Sequence, residues 1–379
     1  MSGPLTGVTV LEIAGIGPGP FCAMMLADMG ADVLRVKRPA ADPKPIHPNP
    51  VSGRGMRSLE LDLKSAAGRD AVLRIVQNCD ALIEGYRPGV MERLGLGPDI
   101  CQGRNPRLVY GRMTGWGQHG PMSTLAGHDI NYISLTGALA AIGSAESGPI
   151  PPLNLVGDFG GGAMMLAFGV VCALLEAGRS GKGQVVDAAM TDGSALLMAT
   201  TFGQHAVGRW KLERGTNLLD GAAPFYTTYR CADGQWIAVG AIEPQFYAAL
   251  LQRMGLNAAE FAPQHDQVQW PHWKLRFAQV FATRSRDAWC RVMEGADACF
   301  TPVLNMQEAM DHPHNLARNT FIDVEGVRQP APAPRFSRTV PTVRRRGAVS
   351  ERDVLADLGF SEAEISSLVR RPDHQDDNA

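Results

Sequence analysis

The sequence predicts an α/β protein: a large domain on a mostly parallel sheet, followed by a smaller α+β domain. Three observations predict it. Short apolar runs of strand length alternate with longer runs of helical spacing through the first half of the chain. Around Pro224 the pattern changes to two strands flanking a turn at Ala232-Asp233-Gly234, followed by a series of helices. The 379 residues are 45% hydrophobic and 20% charged, an ordinary globular balance that allows two or three domains with a sizeable core.

The elements follow in order. Val8–Ile13 reads as a buried strand, and Phe21–Met29 as a helix with apolar Met24, Met25, Leu26 and Met29. Asp32–Val36 and Ser58–Leu61 are the next strands. Ala66–Gln77 is a helix with Val72, Ile75 and Val76 on one face, and Ala81–Ile83 and Leu108–Gly111 are further strands. Such alternation requires crossovers, which align the strands in parallel. Pro39–Pro50 is proline-rich and reads as a loop. Gly160–Gly178 is apolar nearly all round and reads as a long buried helix. Gln184–Ala188 is a strand and Asp192–Val207 a helix. In the second part, Phe225–Tyr229 and Trp236–Val239 are strands, and Pro244–Met254, Pro271–Ala282 and Arg286–Met293 are helices. Pro330–Pro334 is a stiff linker or return segment, and Glu351–Val369 a charged helix.

A net charge of −2 gives no global basic field for nucleic acid, so an anionic ligand needs a local set of Arg and Lys. The seven cysteines are odd in number, scattered and without a C-x-x-C pair. That argues against a disulfide framework or zinc site and fits a reducing compartment. Met1-Ser2-Gly3-Pro4 leads into a strand without a basic and apolar leader. Phe159–Leu175 is interrupted by glycines and falls short of the ~20 residues of a membrane span. Asp377-Asn378-Ala379 is not a peroxisomal tripeptide, and Arg344-Arg345-Arg346 reads as a solvated basic turn. The expected location is cytoplasmic.

Gly15-Ile16-Gly17-Pro18-Gly19-Pro20, between a strand and a helix, resembles a dinucleotide phosphate loop. Pro18 and Pro20 each remove a backbone N–H, and a third glycine in phase is missing. Lys37 and Arg38 stand where a NAD enzyme would carry an acidic residue. An NADP-dependent oxidoreductase and a tight turn without ligand both stay open on this segment.

Several segments taken together resemble the class III CoA-transferase superfamily. These are Val10-Leu11-Glu12-Ile13-Ala14-Gly15 with the loop after it, Gly30-Ala31-Asp32-Val33 with Arg38-Pro39, Leu61-Asp62-Leu63-Lys64, and Glu84-Gly85-Tyr86-Arg87-Pro88-Gly89. Three further segments are similar to its α-methylacyl-CoA racemase branch: Gly127-His128-Asp129-Ile130-Asn131-Tyr132, Asn154 to Gly162, and Gly240-Ala241-Ile242-Glu243-Pro244-Gln245-Phe246. The resemblance runs to about Arg338. It implies a large Rossmann-like domain joined by long linkers to a small one, in an interlocked homodimer with shared active sites. The implied division is a CoA-binding domain over 1–188, a linker helix over 189–223, a small domain over 224–305 and a return segment over 306–379. It implies an acyl-CoA substrate, with no nicotinamide, flavin or metal.

The implied reaction moves one proton off and onto the carbon next to a thioester, inverting a 2-methylacyl-CoA. Inversion needs two general acid/base groups flanking that carbon. His128 and Asp158 are the expected pair. Asp158 alone reads as a helix N-cap, and Glu243 alone as a first-turn surface carboxylate. The resemblance makes Asp158 one base and Glu243 the group that orients His128. It directs His128 to the S substrate and Asp158 to the R. An enolate oxygen needs positioned donors, and N–H groups near Asp129 or in the helix after Asp158 are the candidates. Arg38, Leu61, Lys64, Arg87 and Arg93 are expected around the CoA phosphates and adenine. Ile16, Gly85 and Tyr86 would line the CoA path, with Tyr132 and Asn154 near the acyl group. Met113 and Met190–Met198 offer adaptable apolar surface.

Two alternatives share these residues. A CoA-transferase would use the carboxylate at Asp158 as a nucleophile and needs neither His128 nor Glu243 as a proton carrier. A CoA-binding protein without turnover would need none of the three.

Overall fold

In a computed structural model the chain is described over residues 3–39, 49–344 and 350–369. Most of the expected 39–50 loop, Arg345, Arg346 and the carboxyl terminus lie outside the described residues. The chain forms two compact units: Met1–Thr136, Leu153–Leu197 and Phe321–Ala379 in the first, Gly137–Pro152 and Met198–Thr320 in the second.

The first unit is built on a six-stranded sheet. Numbered along the chain, its strands are β1 (Thr9–Ile13), β2 (Asp32–Lys37), β3 (Arg57–Glu60), β4 (Ala81–Glu84), β5 (Val109–Thr114) and β8 (Val185–Ala189). Their order is β3-β2-β1-β4-β5-β8, all parallel. Successive side chains point to opposite faces, and both faces are buried. Val10, Val33 and Ile83 join one core with Leu26 and Val170. Leu11, Leu34 and Leu82 join another with Val72 and Ile75. Burial on both sides explains why β1 and β4 read as apolar runs without alternation. The chain winds outward from β1 to β3 and then returns to β4 beside β1. This reversal opens a crevice at the carboxyl ends of β1 and β4, where doubly wound sheets bind ligands.

A short ladder, β12 (Phe321–Val324) with β13 (Val327–Pro330), rejoins this unit late in the chain. Buried Arg54 anchors it. The guanidinium bonds both carboxylate oxygens of Asp28 and also Gln329 Oε1 and the Pro330 carbonyl.

The second unit holds the ladder β6 (Gly143–Ser144) with β7 (Gly148–Pro149) and an antiparallel sheet of β9 (Tyr226–Arg230), β10 (Trp236–Gly240) and β11 (Phe300–Pro302). Helices Pro244–Met254, Trp270–Phe281 and Arg286–Met293 pack on it around Phe225, Phe277, Phe281 and Trp289.

Several elements differ from the sequence reading. Residues 137–152 group with the second unit rather than the first, because Arg214 bonds the carbonyls of Ala140 and Ser144. Residues 306–320 also stay there, so the return begins at Phe321. The helix expected over 192–207 is two, Met190–Leu197 and Ala199–Ala206, broken where the chain passes between units. The charged helix near the end breaks at Gly359, which takes φ +78°.

The long apolar helix begins earlier than expected, as a wide π-helical turn over Leu155–Ala163 that continues as Met164–Ser180. Its 26 residues make it the one helix among those described that is long and apolar enough to cross a membrane. Leu166, Val170, Ala173 and Ala177 are buried in the core, but Met164, Phe168, Val171 and Leu175 are exposed. It is therefore not buried all round.

Candidate active site

A cavity of about 750 Å³ lies at the crevice of the first unit. Ile16–Pro18 follow β1 into it, Gly85–Pro88 follow β4, and Met113–Trp116 run off the end of β5. His128, Tyr132, Asn154 and Asp158 complete the wall.

His128 caps the helix Asp129–Ser134 from an extended backbone, φ −133° and ψ 174°. Its own N–H donates to Asn131 Oδ1 at 3.0 Å. Tyr132 braces the loop: its hydroxyl donates to the Gly127 carbonyl, and Trp116 meets its ring edge-on at 4.8 Å. Gly115 and Gly127 make room for that ring, since a Cβ on either would stand 2.1 or 2.7 Å from it. The loop that presents the imidazole is thus fixed by an aromatic packed on glycine backbone.

Asp158 sits in the first turn of the wide helix, whose Phe159 N–H reaches back to the Asn154 carbonyl at 3.3 Å. Such turns are frequent at functional sites. Its glycines allow close approach on different sides. A Cβ on Gly157 would lie 2.3 Å from Asp129 Oδ2, one on Gly161 2.6 Å from the Ser194 nitrogen, and one on Gly162 3.1 Å from Pro18. The Phe159 ring packs on Phe21 at 4.6 Å.

The Asp158 carboxylate accepts from Asn154 Nδ2 at 3.0 Å, and its N–H donates to Asp129 Oδ2 at 2.7 Å. Burial raises the carboxyl above its ordinary range and the Asp129 charge adds to this, while Asn154 and the nearby His128 oppose it. Glu84, the last residue of β4, accepts the Tyr86 N–H at 2.7 Å and pairs with Arg112 at 3.0 Å. Burial pushes it up to about 7 against both partners.

The glycine-rich loop after β1 does not form a row of N–H groups. Pro18 and Pro20 open the helix Pro18–Asp28, and Gly17 holds φ +69° so that the chain can pass Asp158. A Cβ there would lie 3.3 Å from Asp158 Oδ2.

Of the residues expected from sequence, the cavity brings together Ile16, Gly85, Tyr86, Arg87, His128, Tyr132, Asn154 and Asp158. Met113 and Met190 line it while belonging to the core. Met198 instead faces a separate cavity of about 130 Å³ in the second unit. Arg38, Lys64 and Arg93 are exposed beyond β2, beyond β3 and at the end of the helix Val90–Arg93, outside the cavity wall. Leu61 is buried directly after β3. Glu243 is exposed and caps the helix Pro244–Met254 in the second unit; His128 belongs to the first. Sequence reasoning missed Trp116, whose indole Nε1 is buried without a hydrogen-bond partner among the described residues. A Trp between two glycines, at the end of a strand already placed in the sheet, was the available signal. All seven cysteines are free, and among the described residues no cluster of three His, Cys, Asp or Glu is placed to hold a metal.

The chain is similar to known proteins over nearly its whole length. The chain is 48% identical over 369 residues to alpha-methylacyl-CoA racemase of Mus musculus and 46% identical to that of Homo sapiens, each covering 96% of both chains. The structure of a CAIB/BAIF family protein from Brucella suis superposes with a TM-score of 0.80 over 94% of this chain and 100% of that one. At 24% identity that likeness concerns the fold alone. The profile described as CoA-transferase family III matches residues 5–348, and with these relatives it establishes that the chain belongs to that family.

Proposed function

We propose that this chain is an α-methylacyl-CoA racemase, interconverting (R)- and (S)-2-methylacyl-CoA by proton transfer through an enolate. The observation that carries the proposal is an imidazole and a raised carboxyl, His128 and Asp158, on the wall of one cavity. A carboxyl held above its ordinary range keeps its proton more readily than a free one, which suits a group that must both give and take a proton. A transferase needs the carboxylate ionised as a nucleophile and has no use for the imidazole. The likeness to two racemases over nearly the whole chain favours the same reading.

In this reading one group takes the α-proton while the other returns a proton to the opposite face. The Asp158 N–H is already engaged by Asp129 and the Phe159 N–H by Asn154. In the first turn of Asp129–Ser134 the Asn131 and Tyr132 N–H groups bond the His128 carbonyl, so the N–H groups of Asp129 and Ile130 are the donors proposed for the enolate oxygen. Arg87 at the cavity, with Arg38, Lys64 and Arg93 on loops and element ends of the same unit, would hold the CoA phosphates. No further cofactor and a cytoplasmic setting belong to the same proposal. The test is direct. Pure (R)-2-methyldecanoyl-CoA, incubated without any acceptor acid, is expected to become a mixture of both enantiomers. Retention of configuration, with CoA passing to an added carboxylate, would support the transferase instead.

A homodimer is part of the proposal. Met164, Phe168, Val171 and Leu175 recur at helical spacing and form one exposed apolar stripe, with Phe168 70% exposed. Phe168→Glu is expected to weaken self-association by roughly 30-fold or more, about 2 kcal/mol. Sedimentation equilibrium reads this directly, and an unchanged association constant would remove the stripe from the interface.

A further inference from the structure

Asp129 follows His128 into the first turn of its helix, where an acidic residue ordinarily faces solvent. Here it is 7% exposed. Its Oδ2 accepts the Asp158 N–H at 2.7 Å, and its Oδ1 is buried with no hydrogen-bond partner among the described residues. Gly157 lies against the same carboxylate, with no room for a side chain between them. Holding one N–H requires only a neutral acceptor. A buried carboxylate with one oxygen unsatisfied is costly, so its charge calls for a reason beyond that bond.

We infer that Asp129 is a positioning residue for the proton transfer: it ties the Asp158 peptide to the His128 segment and sets its own side chain beside that carboxyl. The inference rests on the racemase reading above. In each direction a proton leaves the α-carbon for one group, the electron pair passes into the enolate, and a proton from the other group returns to carbon. Asp158 must keep its proton when it donates and lose it when it accepts. The Asp129 charge sets that balance by making Asp158 hold its proton more firmly, as burial also does, against Asn154 and His128. The other titratable group facing Asp158 in this unit is Tyr132, on the same helix as Asp129. The helix Pro18–Asp28 is preceded by Gly17 at this point, and Asp192 on the helix packed behind is exposed.

Two variants separate the roles. Asp129→Asn keeps an acceptor for the Asp158 N–H and removes the charge; Asp129→Ala removes both. Each is assayed by α-deuterium wash-in from either pure enantiomer of 2-methyldecanoyl-CoA, from acid to neutral pH. Asp129→Asn is expected to lose less rate than Asp129→Ala and to move the limb that titrates Asp158 to lower pH in both directions. The rise appears earlier where Asp158 accepts, and the fall earlier where it donates. Asp129→Ala is expected to lose on the order of 10²-fold in rate, the effect of a misplaced reacting group. A purely structural Asp129 would lower the rate without moving the limb. An Asp129→Asn limb at the wild-type pH overturns the inference while the racemase reading stands. No wash-in by the wild-type chain overturns that reading and the inference with it.

Discussion

His128→Ala is expected to slow inversion of a 2-methylacyl-CoA by about 10²–10⁴-fold, the usual contribution of one general acid/base group. That is about 3–5 kcal/mol of barrier. The fold should be little affected. The loop is held by the His128 backbone N–H to Asn131 and by the braced Tyr132 ring, both of which the variant keeps. The imidazole is exposed, and such substitutions usually alter stability by no more than ~0.5 kcal/mol. The barrier effect therefore exceeds any stability effect, and a lost rate can be assigned to proton transfer. The remaining Asp158 should still exchange the α-proton of one enantiomer without inverting it. Asp158→Asn should show the mirror image, exchanging only the other enantiomer. Chiral separation with mass spectrometry of each pool reads both. A His128→Ala enzyme that inverts at the wild-type rate would remove the imidazole from the mechanism.

Gly193→Ala is expected to combine a loss of stability with a loss of rate. Its Cβ would stand 1.8 Å from the Gly161 carbonyl oxygen, a backbone atom that cannot rotate away. Either the helix Met190–Leu197 or the wide turn over Leu155–Ala163 must move. The first carries Met190 and the second Asp158, both on the cavity wall. Overpacking of this kind costs about 1–3 kcal/mol, and a displacement near 1 Å at the reacting group costs about 10²-fold in rate. Gly178→Ala is the control. It lies in the last turn of the following helix with open space around it and no positive φ, so replacing glycine there should stabilise by about 0.4–1 kcal/mol. Urea midpoints and exchange rates for the two variants should move in opposite directions in stability, with only Gly193→Ala losing activity.

Much of the first unit was legible because local pattern and tertiary role coincide there. Strands buried on both faces read as apolar runs, and β1, β2, β4 and β8 fall within a residue or so of their expected positions. His128 and Asp158 came from motifs rather than from periodicity, since nothing local brings residues 30 apart in sequence to one cavity. What escaped was set by long-range contact. Residues 137–152 join the second unit through Arg214, far along the chain. The Asp129 carboxylate shows no role in the sequence, because it is Gly157 and the Asp158 N–H, distant along the chain, that lie against it. The loop Gly15–Pro20 has the glycines of a phosphate cradle, but Gly17 serves the passage of the chain past Asp158. The exposed stripe on Met164–Ser180 looks like core in sequence, because apolar composition is the same whether a face meets its own chain or another.

In the proposed reaction one carbon exchanges its hydrogen between two groups across a single cavity. Deuterium content at that carbon, measured after incubating one pure enantiomer of 2-methyldecanoyl-CoA with the wild-type protein in deuterium oxide, tests it most directly. The inverted product is expected to carry solvent deuterium at the α-position, with no other carboxylic acid present. An ester recovered with its configuration and its original hydrogen would contradict it.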